Sequence, residues 1–338
     1  IYFVIPSEVE GSLRSINEAI PPCASLSRND GVNKMLKQIK IQSTTDNSTV
    51  KVLLQLDDEL KIESVLMKYR DWYSACLSVM VGCPLDCKFC ATGKMGFTRN
   101  LTAEEIVGQV EFWNDYLKDK GRVSRVVFMG IGEPFLNWEN TWAAIKILNT
   151  PGRFNIAQRH ITVSTAGIIP KIYDFTDLDT QVNLAISLHS PFQAKREEIM
   201  PIAKQYLLAD LMKAAGHFVK KTGRKVFFEY ALIAYFNDTF EDIFAIKKIF
   251  GSPLFHLNVI VLNPVDKQYK GSGMGRRETF VHALEKYKIP FTIRRSIGKE
   301  INASCGQLAT EIAPPSHLAA QNRNSLPVPD TLPPARRF

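Results

Sequence analysis

From Tyr73 onward the chain repeats one pattern, an apolar β-branched run followed by a segment whose apolar residues recur every three or four positions. The runs are YSACLSVMV (73–81), RVVFMGI (125–131), HITVST (160–165), QVNLAISLH (181–189), KVFFEYALI (225–233) and HLNVIVLN (256–263). Such near-continuous runs suit strands buried on both faces. Between them, helices are expected over 102–119, 138–149, 205–221, 238–249 and 277–288, with a shorter crossover around 168–177. Thr102 followed three residues later by Glu105 is a capping box that starts the first of these. Strands alternating with helices imply an α/β fold with a parallel sheet. Six units are too few to close an eight-fold barrel, which leaves an open partial barrel or a doubly wound sheet; FTIRRSIG (291–298) could add a late strand.

The flanks read differently. VKVLLQL and ESVLMKY alternate like half-buried strands around the turn-prone DDELK, so 34–72 is expected to be a small β appendage. Residues 1–33 carry Pro, Ser, Asn and Gly with little periodicity and are expected to be a poorly ordered lead or fragment. The stretch 73–298 holds the barrel, 299–313 a loop around Cys305, and 314–338 a proline-rich tail expected to be disordered.

Composition adds two constraints. No apolar run approaches the roughly 18 residues of a membrane helix, and the apolar start has no basic segment before it, so neither a membrane span nor a signal peptide is expected and the protein is placed in the cytoplasm. A formal net charge of +8 fits a polyanionic partner such as nucleic acid. Lys94, Phe97 and Arg99 suit phosphate contact and base stacking, and basic clusters recur in QAKREE, GMGRRE and RRSIGK.

Three of the six cysteines fall in GCPLDCKFCATG, as Cys83, Cys87 and Cys90. Structural zinc sites use four ligands, commonly as two separated pairs, and no matching pair lies downstream. A four-iron cube needs one ligand per iron, so three thiolates leave one iron open to a further ligand. The alternative is a zinc loop, borrowing Cys76 or a histidine, in an RNA-binding module without catalysis. Polar and glycine residues also recur where the expected strands end, as GIGEP (130–134), Ser164 with Thr165, Ser187 with Leu188 and His189, and Asn263 before Pro264. In parallel sheets ligands gather at that end.

These motifs resemble the radical S-adenosylmethionine enzymes, and the adenine-C2 RNA methyltransferases among them. The match spans about residues 50–312 and includes IESVLM, Cys76, GCPLDCKFCATGKMGFTRNLT, FMGIGEP, ITVSTAGIIP, NLAISLHSP, EEIMPI and CGQLA. The resemblance implies a partial (βα)6 barrel, a [4Fe-4S] cluster on Cys83, Cys87 and Cys90, and S-adenosylmethionine held by Gly132, Glu133, Ser164, Ser187, Leu188, His189 and Asn263. It implies that Cys305 takes a methyl group from one S-adenosylmethionine, since carbon 2 of adenine is too electron-poor to attack it directly. A radical made from a second S-adenosylmethionine activates that methyl group for addition to the ring. Glu63 then accepts the ring proton and Cys76 attacks the sulfur of Cys305, leaving a disulfide. The implied partners are large-subunit ribosomal RNA, transfer RNA next to the anticodon, and an electron donor such as flavodoxin, with the protein a monomer. Resistance enzymes that methylate carbon 8 of the ribosomal base are the alternative; Pro134 lies closer to the carbon-2 group. The chain departs from the family before residue 34, and at Leu77, Ser78, Val79 and Met80, where Ser-Ser-Gln is common.

Overall fold

The computed structural model describes residues 36–294 and 298–308. The expected lead (1–33), residues 309–313 of the cysteine loop and the tail (314–338) lie outside the described residues. In chain order the elements are β1 (Lys37–Ser43), β2 (Thr49–Gln55), β3 (Lys61–Lys68), β4 (Tyr73–Cys76), β5 (Met80–Gly82), α1 (Ala91–Lys94), β6 (Phe97–Asn100), α2 (Ala103–Leu117), β7 (Val123–Phe128) and α3 (Trp138–Asn149). There follow β8 (Ile161–Thr165), α4 (Ile169–Asp177), β9 (Asn183–Ser187), α5 (Gln193–Ile199), α6 (Leu208–Thr222), β10 (Val226–Leu232), α7 (Phe240–Ile249), β11 (Phe255–Val261), α8 (Met274–Lys286) and β12 (Phe291–Arg294).

Strands β4, β7, β8, β9, β10, β11 and β12 pair in parallel and in chain order. Each crossover therefore steps the same way along the sheet, which gives an open α/β barrel rather than a doubly wound sheet. FTIR does supply the late strand. The accessory strands are three, and they continue this sheet: β3 pairs antiparallel with β4, with Val65 opposite Cys76. The polar sequence KQIKIQS of β1, exposed along most of its length, hid the third strand from a hydrophobic pattern.

The first expected strand, 73–81, is broken. β4 stops at Cys76, and Met80–Gly82 pairs with β6 in a separate two-stranded sheet. Ser78 explains the break, because this buried residue has its polar groups satisfied outside any ladder. Its hydroxyl donates to Glu63 O (2.6 Å) and accepts from Ile131 N (2.9 Å). Its backbone N and O bond the Gln109 side chain at 2.9 and 2.8 Å, so α2 supplies a carboxamide to this segment.

Alternation along each strand divides the residues between two faces. Val126, Phe128, Val163, Ile186, Phe228, Tyr230 and Val259 join the main core with Trp113, Phe135, Phe175 and Phe218. The intervening positions, among them Ser164, Ser187, Glu229, Asn258 and Arg294, face the other way and make the barrel interior polar. Among the described residues no helix is long and apolar enough to cross a membrane.

The expected capping box is formed: Thr102 Oγ1 accepts from Glu105 N (3.2 Å), and Glu105 Oε2 accepts from Thr102 N (2.8 Å). Thr102→Ala is expected to lower the unfolding free energy by about 1 kcal/mol, read as a lower urea midpoint with an unchanged slope.

Candidate active site

The cysteine loop leaves β5 and ends in the single turn of α1. Gly82 is obligatory at its start: φ is +77°, and a Cβ there would lie 1.9 Å from Gly96 O. At its end, a Cβ on Gly93 would come within 2.9 Å of Cys87 N. Backbone bonds from Cys83 N to Gly96 O (2.8 Å) and from Lys88 N to Ile199 O (2.9 Å) hold the loop between them. Its three cysteines form no disulfide. Burial pushes the Cys83 and Cys87 thiols far above the ordinary thiol range, and each neighbouring thiolate raises them further. Such sulfurs ionise when a metal supplies the compensating charge. Among the described residues no group of His, Cys, Asp or Glu side chains is gathered as around one metal ion. A cube asks for a different donor set, one thiolate per iron, and three on one loop fit it.

A second loop closes on the first. Ala91 N donates to Gly306 O (2.7 Å) and Thr92 Oγ1 to Leu308 O (3.1 Å), which sets Cys305 beside the helix that follows Cys90. Cys305 is solvent-accessible, yet the protein around it raises its thiol, with the Arg294 guanidinium pulling the other way. Ala303 and Leu308 pack into the small apolar cluster that contains Cys76. Cys76 is buried, and its thiol is pushed up to about 12, first by burial and then by the nearby Cys305 thiolate. The two cysteines far apart in the chain are thus brought into one neighbourhood. Glu63 lies two residues before Val65, the partner of Cys76, and so on the same sheet face. Fully buried, it is ion-paired with buried Lys51 at 2.9 Å, rather than standing at the surface.

The expected strand-end residues all lie at the carboxyl end of the barrel. Gly132 (φ +105°) is required by packing, since a Cβ would meet Met80 at 2.6 Å. Glu133 already accepts from Ala166 N (2.7 Å) and Phe135 N (3.1 Å), tying together the loops after β7 and β8. Burial still raises its carboxyl to about 7, so an ammonium group here would be favoured. Ser164 and Ser187 line the interior, whereas the Leu188 side chain is in the main core and its backbone N and O are bonded to Glu229 O and the Arg196 side chain. His189, at φ +51°, accepts from Ala231 N through Nδ1 (2.9 Å) and packs edge-on against Phe89 of the cysteine loop (4.7 Å). Burial lowers it to about 3, so it stays neutral. Asn263 is buried with Nδ2 unpaired among the described residues, and the same holds for Asn258 Oδ1. Orphaned polar atoms at the barrel mouth are what a polar ligand would satisfy.

Several residues carry weight that the sequence concealed. Arg294 was part of an apparent basic run; it projects inward instead, 3.2 Å from Glu229 Oε2, while Asn258 donates to Glu229 Oε1 (2.9 Å). Only an alternation count extended into β12 could have turned it inward. Arg196 of QAKREE is buried and donates to the carbonyls of Leu188 (3.0 Å) and Ser187 (3.1 Å), bracing that strand end. The expected RNA contacts near the cysteine loop are engaged within the protein. Arg99 is held by Asp58 (2.6 Å) and by both oxygens of Glu105, Lys94 pairs with Asp266, and Phe97 packs on the core.

Comparison with known proteins agrees with this geometry. The model of the radical SAM superfamily matches residues 77–246. A probable dual-specificity RNA methyltransferase RlmN of Clostridium perfringens is 42% identical over 79% of this chain and 76% of its own length. A protein of the same description from Carboxydothermus hydrogenoformans is 43% identical over 81% and 80%. The crystal structure of a radical SAM methyltransferase from Sphaerobacter thermophilus superposes with a TM-score of 0.79 at 38% identity, covering 81% of each chain. An open barrel with a three-cysteine loop at its mouth defines a radical SAM protein. The chain belongs to the RlmN family within that superfamily.

Glu133 provides a pH test. Its carboxyl rises from an ordinary 4.5 to about 7 on folding, so between those values the folded state holds the extra proton. The stability it leaves intact below about pH 4.5 is lost as pH rises through about 7. In urea titrations of the cofactor-free protein, Glu133→Gln is expected to flatten this decline.

Proposed function

We propose that this chain methylates carbon 2 of an adenosine in large-subunit ribosomal RNA, and of the adenosine next to a transfer RNA anticodon, with Cys305 as the methyl carrier. The observation that carries this reading is the meeting of two loops: the one bearing Cys305 is hydrogen-bonded to α1, directly after Cys90, while its flanks pack around Cys76. A radical enzyme acting by simple hydrogen abstraction has no use for two further cysteines there.

Cys83, Cys87 and Cys90 would hold the cluster, and Gly132, Glu133, Ser164, Ser187, Leu188, His189 and Asn263 surround the space for S-adenosylmethionine. When bound, these groups supply an electrophilic methyl and, after one-electron cleavage of the sulfonium, a radical that removes hydrogen from a methyl thioether. The protein's own residues do the rest. Cys305, the accessible sulfur, takes the methyl as a thiolate, and Arg294 favours that ionisation. Once the ring radical has lost the ring proton and returned one electron to the couple that supplied the cleavage, Cys305 would be joined to RNA through the methylene. Buried Cys76 would then attack its sulfur; an S–S bond forms as the S–C bond breaks, and the carbon keeps the electron pair and takes up a proton to become the methyl group. Glu63, on the Cys76 face, takes the ring proton, and the Lys51 ammonium balances its buried charge. The same reading calls for a one-electron donor of the flavodoxin kind, a monomer, and action in the cytoplasm.

Mass spectrometry of nuclease-digested RNA after anaerobic turnover is expected to show 2-methyladenosine. Cys305→Ala should abolish methyl transfer, and Cys76→Ala should accumulate a protein–RNA adduct that survives denaturing electrophoresis. Normal product release by Cys76→Ala would refute the two-cysteine route, and 8-methyladenosine would assign the chain to the other chemistry.

A further inference from the structure

At the barrel mouth, the loop after β10 holds Tyr235 at φ +63°, a conformation that bulky residues avoid, and leaves its side chain 82% exposed. Strain of this kind persists where surrounding contacts over-determine it. One carboxylate does so here. Asp238, itself buried, accepts from Tyr235 N (2.9 Å), Ser272 Oγ (2.6 Å) and Arg276 Nε (2.7 Å). The Arg276 guanidinium is thereby held over the Tyr235 ring, 4.2 Å from its centroid. Asp238 fixes at once the twisted backbone and the cation on one side of the ring, and the high exposure leaves the other side to solvent.

This loop is joined to the active site. Asn237 Nδ2 donates to His189 O (2.6 Å), and the His189 ring meets Phe89, which lies between two cluster cysteines. Ala234 N donates to Lys270 O (2.9 Å) in the loop after β11, and Asp266 of that loop pairs with Lys94 of α1. Lys267 and Lys270 are exposed beside it.

We propose that Tyr235, backed by Arg276, is a stacking platform for an unpaired base of the RNA substrate, at the rim of the site where the neighbouring adenosine is modified. This rests on the RNA-methyltransferase reading. Every base offers a π face, and an arginine-backed aromatic ring stacks on it without choosing a sequence. Exposed lysines alongside suit phosphates rather than an apolar protein surface. A target adenosine must leave its stack to reach the barrel interior, and a platform at the rim gives its displaced neighbour somewhere to go.

The test uses the cluster-loaded enzyme and a synthetic RNA stem-loop carrying unpaired adenosines. Tyr235→Gly relieves the positive φ, so its thermal midpoint is expected to stay level or rise. Its affinity for the RNA, read by fluorescence anisotropy, is expected to fall by about fivefold to a hundredfold, with KM rising in step. Tyr235→Trp, which keeps a ring, should bind within about twofold of the parent. Equal RNA affinity for the Gly variant and a parent that binds and methylates RNA would overturn the platform alone. A parent that neither binds nor methylates RNA would overturn the functional reading with it. Dissociation of a dimer by Tyr235→Gly, with RNA affinity unchanged, would show that the ring contacts a second copy and would equally refute the platform.

Discussion

Thiols enclosed by protein do not ionise readily, and Cys83 and Cys87, two of the three cysteines on one loop, are enclosed in this way. Cys83 and Cys87 are raised far above the range of a free cysteine by burial, and Cys90 and Glu133 add to the difficulty of both. The buried Arg196 guanidinium interacts with Cys87, yet burial still leaves both thiols far above the ordinary range. In a radical SAM protein the balancing charge would come from a metal cluster. Gly82 and Gly93 let the loop backbone fold on itself more tightly than any side chain would permit.

The rest of the molecule arranges what such a centre acts upon. Consecutive parallel strands bring their carboxyl ends to one mouth, where Glu133 and His189 meet the cysteine loop. Polar residues that would be costly in an ordinary core fill the interior, and they are linked: Arg294 to Glu229, Glu229 to Asn258. Asn258 Oδ1 and Asn263 Nδ2 are buried without a partner among the described residues. Outside the barrel proper, β1 to β3 extend the sheet at β4, and this extension puts Glu63 and Lys51 on the Cys76 face. The accessory strands therefore extend the sheet and place a buried ion pair on the face that carries Cys76.

Six parallel strands and the main helices could be read from the sequence because their apolar periodicity is strong; α3 spans the expected 138–149 without change. β1 was missed because five of its seven residues are exposed and only Ile39 and Ile41 are apolar, too short an alternation to stand out. The break after Cys76 was missed because a single serine interrupts an apolar run, and its effect depends on partners at residues 63, 109 and 131. The cysteines were legible from spacing, and the strand-end residues from their position. Arg294, Arg196 and Arg99 were not, since a charged residue in a basic run gives no local sign that it turns inward or finds a carboxylate far along the chain. Tyr235 carries no motif in the sequence, and only its backbone angle and its tie to Asp238 set it apart.

The central claim is that three cysteines hold a cluster with one iron open to S-adenosylmethionine. Electron paramagnetic resonance of the anaerobically reconstituted, reduced protein tests it most directly, alongside iron and sulfide analysis. The account predicts about four irons and four sulfides per chain and a signal that changes when S-adenosylmethionine is added. A colourless protein carrying one zinc, or a cluster signal indifferent to S-adenosylmethionine, would contradict it.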